Sequence, residues 1–122
     1  MPFLEIFDFT DEPEKREAAG HSMTEALCCA YGIKPDIVTC YFLSFGQQAY
    51  MHAGKSSRAR AEKRIFVKVH AFQRSLDLRR KAARAMTDAA ALAYGVDAST
   101  VAIYFFDRAT EDVAHNGILA CD

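Results

Sequence analysis

Residues 30–42 read AYGIKPDIVTCYF, residues 93–105 read AYGVDASTVAIYF, and the second stretch repeats the first 63 residues later. Working outward in that register, Phe3 falls on Phe66, Phe9 on Phe72, Arg16 on Arg79, Ala19 on Ala82, Met23 on Met86 and Thr24 on Thr87. Thirteen of the 42 positions from Phe3 to Ser44 are identical, and swaps such as Ile6/Val69, Glu14/Asp77 and Ile33/Val96 join them. This is an internal duplication, and a duplication fixes architecture before any local propensity is weighed. The repeats span 2–53 and 65–122, joined by a basic linker at 54–64, within one domain over 1–122.

Each unit reads as strand, helix, strand. FLEIFDF (3–9) and IFVKVHAF (65–72) are rich in β-branched and aromatic residues. Asp11 and Ser75 are the expected N-caps, with Pro13 suited to a first helical turn and Glu14 at capping-box spacing. Apolar residues then recur at helical spacing, at Ala19, Met23, Ala26, Leu27 and Ala30 and again at Leu78, Ala82, Met86, Ala89 and Ala93. Gly32 and Gly95 close both helices, because glycine accepts the left-handed conformation of a helix C-terminus at no steric cost. Second strands are expected at 37–43 and 101–106.

Two such units predict an α+β fold: tandem β-α-β repeats forming a four-stranded mixed sheet with both helices on one face. The other face is left bare, and it carries too much aromatic surface for a soluble monomer. A homo-oligomer with facing sheets follows, with Glu5, Lys68 and His70 as candidates for pairing in its interior. Gln47 to His52 and Val113 to Leu119 read as short strands suited to a neighbouring subunit's sheet edge.

Composition narrows the function. The chain has 122 residues, 51% hydrophobic and 25% charged, with a net charge of -1, so there is no global field to hold nucleic acid. No apolar run approaches the roughly 20 residues that span a bilayer, and the N-terminus lacks a signal-peptide pattern, which predicts a cytoplasmic protein. The linker GKSSRARAEKR reads either as a solvated loop or as a rim that attracts anionic substrates. Cys28, Cys29, Cys40 and Cys121 are not spaced as CxxC pairs and read as small buried hydrophobes, with Cys28 and Cys29 on different helix faces. The histidines lack HExxH or HxH spacing, so no metal is expected.

Within a duplication, chemistry is to be sought where the symmetry breaks. Pro2 has Ile65 as its repeat partner, and Arg74 has Asp11. A pseudo-twofold that sets strands one and four side by side and antiparallel puts the start of one next to the end of the other, and so Pro2 beside Arg74. Removal of Met1 would leave Pro2 as a secondary amine able to move protons, its pKa lowered by burial beside a cation. Arg74 would hold a substrate carboxylate. The plainer readings are a strand-opening proline and a solvated arginine at a helix start.

These residues resemble the tautomerase superfamily: Met-Pro before a β-rich strand, two β-α-β repeats, and the ending VAIYFFDRATEDVAHNGILA. The resemblance covers nearly the whole chain and is nearest to the duplicated macrophage migration inhibitory factor, malonate semialdehyde decarboxylase and cis-3-chloroacrylic acid dehalogenase groups. It implies a homotrimer with sites between subunits, an amino-terminal proline as base or acid, and no cofactor. Pro2 is then the proton carrier, and Arg74-Ser75 matches the Arg-Ser that opens the helix in the 4-oxalocrotonate tautomerase and dehalogenase patterns. Lys34 resembles the lysine of the inhibitory factor's GKPP stretch, and Tyr104 lies where dehalogenases carry a tyrosine.

The departures bear on activity. Ala71, Phe72 and Gln73 stand where the dehalogenases and the decarboxylase have a second arginine, and His115 falls near their late acidic residue. His115 is a pocket group or a surface histidine of the last hairpin. The expected activity is keto-enol tautomerisation of a 2-oxo acid or its enol, with Phe72 and Tyr104 helping to seat an aromatic or unsaturated tail. The alternatives are decarboxylation, hydration or dehalogenation of a three-carbon acid, a non-catalytic trimeric binding protein, or a ferredoxin-like regulatory domain.

Overall fold

The two repeat units fold alike in the computed structural model, which describes residues 1–56 and 63–122. In the first, β1 (Phe3–Asp8) leads into α1 (Pro13–Tyr31), a 3-10 turn at Pro35–Ile37 and β2 (Thr39–Ser44). A two-stranded ribbon, β3 (Met51–His52) with β4 (Lys55–Ser56), follows. The second unit comprises β5 (Ile65–Phe72), α2 (Leu76–Tyr94), β6 (Val101–Arg108) and the ribbon β7 (Ala114–His115) with β8 (Ile118–Leu119). No helix among the described residues is long and apolar enough to cross a membrane.

The sheet runs β2-β1-β5-β6, with parallel outer pairs and an antiparallel central pair. The antiparallel neighbours are therefore the first strands of the two repeats, not strands one and four. A pseudo-twofold between identical units must place equivalent strands against each other, and Phe3 pairs with His70 accordingly.

Alternation along the strands sends Leu4, Ile6, Val67 and Val69 under the helices, where all four are buried against Met23, Leu27 and Met86. Ala19, Ala82 and Ala90 are also buried, and their small side chains let the helices lie close to sheet and to each other. The opposite face is open as expected. Its three cross-strand rows are Thr39-Phe3-His70-Phe106, Tyr41-Glu5-Lys68-Tyr104 and Leu43-Phe7-Phe66-Ala102. Tyr41 and Tyr104 are more than half exposed there.

Both helix ends are left-handed glycines, Gly32 at φ 67° and Gly95 at φ 66°. The starts differ. Ser75 caps α2, its hydroxyl accepting from the Leu78 amide at 3.3 Å. The cap of α1 is Glu12 rather than Asp11, and it makes no side-chain cap bond. Pro13 occupies the first helical position, so the last extended residue moves one place on, and the Glu12 amide is taken by Thr10 Oγ1 at 3.0 Å.

The flanking segments form strands only at their hairpins, and 3-10 turns at Gln47–Ala49 and Thr110–Asp112 precede them. Each ribbon closes on itself through two consecutive left-handed residues, Ala53-Gly54 and Asn116-Gly117, the geometry of a tight two-residue hairpin turn. The middle of the basic linker, including Arg58, Arg60 and Glu62, lies outside the described residues. Cys28 is buried and Cys29 exposed, which places them on different faces, but Cys121 is exposed too, so the four cysteines are not all interior. Consecutive helical positions are about 100° apart, and one apolar stripe buries only one of two neighbours.

Candidate active site

At the end of the open face where β1 begins and β5 and β6 finish, the sheet and the β7-β8 ribbon enclose a cavity of about 660 Å³. Pro2 is buried in its wall, held by its carbonyl, which accepts from the Thr39 amide at 3.4 Å. Phe3 and Phe72 line the apolar side, Arg108 the cationic side, and His115 and Asp112 the outer rim. Met1 lies at the mouth, half exposed.

Arg108 is fixed by a chain of polar contacts. Its Nη2 lies 2.7 Å from His70 Nδ1, and His70 Nε2 lies 2.5 Å from Glu5 Oε2. A guanidinium has only donors to offer, so Nδ1 must accept, which leaves Nε2 to carry the proton donated to Glu5. The contacts thereby assign His70 the tautomer with its proton on Nε2. The ring is almost fully buried, stacked on Phe3 at 4.2 Å and on Phe106 at 5.0 Å. Both nitrogens are satisfied, which a buried imidazole requires. Of the residues expected to pair in the open face, Glu5 and His70 do so. Lys68 instead sets its ammonium over the rings of Phe7, Phe66 and Phe106 at 5.2–5.8 Å.

Pro2, Phe72 and His115 thus share one cavity, whereas Arg74, Lys34 and Tyr104 do not line it. Arg74 lies over the Tyr31 ring at 4.9 Å and donates to the Phe72 carbonyl at 2.8 Å, contacts that draw it toward the end of α1. Burial pushes the Tyr31 phenol pKa up, and Arg74 partly offsets this. Lys34 is exposed ahead of the Pro35–Ile37 turn. Tyr104 stands in the central row of the open face, and it lines a second cavity at the face's other end. Arg108, which the sequence reading does not single out, lines the first cavity together with Pro2. Its repeat partner is Phe45, a break in symmetry as sharp as that at Pro2.

A second polar cluster lies on the helix side. Asp8, fully buried at the end of β1, accepts from Arg16 Nε and Nη2 at 3.3 and 3.0 Å and from the Tyr94 hydroxyl at 2.7 Å. Burial first, and then Asp8, push the Tyr94 pKa far above the ordinary phenol range. Every partner is engaged, so this cluster ties the repeats together and offers no open coordination to a ligand. Among the described residues no three His, Cys, Asp or Glu side chains come together as a metal site.

No protein-family model matches the sequence, and no curated protein matches it. Solved structures do. A fused 4-OT that forms a symmetric trimer is 18% identical with a TM-score of 0.87, over 98% of this chain and 96% of that one. The macrophage migration inhibitory factor of Toxoplasma gondii is 18% identical with a TM-score of 0.80, over 96% and 98%. N1, a member of the cis-3-chloroacrylic acid dehalogenase family, is 15% identical with a TM-score of 0.83, over 96% and 82%. These likenesses extend over nearly the whole chain, through both repeats, and they show that the chain shares the fold of these proteins.

Proposed function

We propose that the protein is a cofactor-independent keto-enol tautomerase of a 2-oxo acid or its enol, acting as a homotrimer. The observation that carries the reading is the pairing, in one cavity, of buried Pro2 with a cation held by its own polar chain. Once Met1 is removed, the Pro2 nitrogen is a secondary amine with a basic lone pair, whereas with Met1 in place it is an amide and cannot take a proton. The lone pair removes the proton α to the 2-oxo group, the electrons pass to the carbonyl oxygen, and the protonated proline returns a proton at carbon or oxygen. Arg108 takes the role that the sequence pattern offered to Arg74, binding the carboxylate.

Two observations support the trimer. The face opposite the helices leaves Tyr41, Leu43 and Tyr104 in water, and the fused 4-OT of similar fold is a symmetric trimer. The test follows enol absorbance of phenylpyruvate or 2-hydroxymuconate with protein whose mass shows loss of Met1. Turnover is expected, and Pro2→Ala should abolish it. Turnover by a homogeneous Met1 form, or unchanged turnover in Pro2→Ala, would refute the proton-transfer role of Pro2.

A further inference from the structure

A shift of 63 residues carries the Pro2 cavity onto another of about 570 Å³, between the far end of the open face and the β3-β4 ribbon. Several walls keep their residue type: Phe3 corresponds to Phe66, Tyr41 to Tyr104, Phe72 to Phe9 and His115 to His52. The chemistry-bearing groups do not. Pro2 is replaced by Ile65, His70 by Phe7 and Arg108 by Phe45. What remains is a wall of rings, Phe7 stacked at 5.5 Å on both Phe45 and Phe66, with Tyr50 edge-on to Phe9 at 4.8 Å. Two positions gain positive charge: Lys68 stands for Glu5 and Arg64 for Met1. Among the described residues, no carboxylate lines this cavity.

We propose that the second cavity is a non-catalytic binding site for a planar aromatic carboxylate. Near-parallel rings favour a flat partner in an offset stack, and the cations at Arg64 and Lys68, in a described lining without a carboxylate, favour a negative one. Ile65 supplies no amine, so a bound molecule finds no base.

Calorimetric titration of the Pro2-starting protein with 2-naphthoate tests this. Two molecules per chain are expected, of which Arg108→Gln removes one. Arg64→Gln should weaken the other by about tenfold while leaving tautomerase turnover unchanged, and 2-naphthamide, similar in shape but uncharged, should bind there about tenfold more weakly. Arg64 is exposed, so its substitution leaves the fold intact. A single molecule per chain, lost in Arg108→Gln, would overturn the proposal, as would a second molecule indifferent to Arg64 and to ligand charge. The readout is binding, so a protein without tautomerase activity would still have to show the Arg108-independent molecule.

Discussion

Exchanging Arg108 for glutamine separates the two arginines that compete for the substrate carboxylate. A guanidinium carries five N–H groups. One of those on Arg108 goes to His70 Nδ1 at 2.7 Å, and enough remain for a two-pronged carboxylate contact. Each hydrogen bond to a charged group contributes roughly 1.5–3 kcal/mol, and a cavity open to water reduces the pair to about 2–3 kcal/mol in total. At about 1.4 kcal/mol per factor of ten, Arg108→Gln should lower kcat/KM by about 30- to 150-fold. Because the carboxylate is held in ground and transition states alike, most of the loss should appear in KM. Arg74→Gln should change kcat/KM by less than about threefold, since that side chain is engaged with Tyr31 and the Phe72 carbonyl. His70→Phe keeps the stack between Phe3 and Phe106 and removes the acceptor that aims Arg108 together with the donor to Glu5, for a loss of about three- to tenfold, again in KM. The assay is steady-state tautomerisation of phenylpyruvate beside its methyl ester, and the ester should barely respond to any of the three. A larger loss in Arg74→Gln than in Arg108→Gln would refute the assignment, and equal losses for acid and ester would refute carboxylate recognition.

Asp8→Ala strands the Arg16 guanidinium and the Tyr94 hydroxyl; breaking a buried pair costs about 3–5 kcal/mol, and Arg16, 28% exposed, puts the loss near the lower figure, about 3 kcal/mol. Thermal unfolding should show a Tm lower by roughly 10 °C, and a shift below about 3 °C would mean the cluster is not a tie between repeats. Raising the folded-state pKa of Tyr94 adds stability that is complete below the unfolded phenol value of about 10 and fades as pH climbs above it, because only the unfolded chain ionises there. Alkaline unfolding should therefore steepen above about pH 10 and flatten in Tyr94→Phe, as urea titrations across pH would record. Burial also raises the Cys28 thiol pKa, with Glu25 and Asp36 adding to it, while neighbouring Cys29 is exposed; timed alkylation read by peptide mass should label Cys29 well before Cys28, and equal rates would contradict the packing of α1.

What was legible in the sequence is what a few neighbouring residues decide. Gly32 and Gly95 announce the helix ends because the left-handed turn is a property of one residue, and the duplication announces the four strands, though not which of them lie side by side. The start of α1 lies one place beyond the one Asp11 suggests, since Pro13 overrides that better capping side chain. Orientation of long side chains was not legible. Arg74 lies two residues past the end of β5, yet its direction is set by the Tyr31 ring, 43 residues away in the chain. A strand boundary hides Arg108: a last strand of 101–106 leaves it in a loop, whereas the alternation through Ala102, Tyr104 and Phe106 continues to it on the open face. The Asp8–Tyr94 bond joins positions 86 apart and has no local sign.

Glu5 and Lys68 show why the polar chain forms at one end of the face only. They are direct cross-strand partners, and side chains so placed stand about 5 Å apart at Cβ, close enough for an ion pair. Such a pair would leave His70 Nε2, buried between two rings, without an acceptor, and Arg108 without a fixed imidazole to lean on. Lys68 is drawn off instead by three rings, each cation–π contact worth about 0.5–1 kcal/mol, comparable with a half-exposed ion pair. Two of those rings, Phe7 and Phe66, belong to the aromatic cavity. The rings that leave that cavity without chemistry thus hold the cation that would otherwise disarm the site beside Pro2, and the asymmetry between the repeats sustains itself through Lys68.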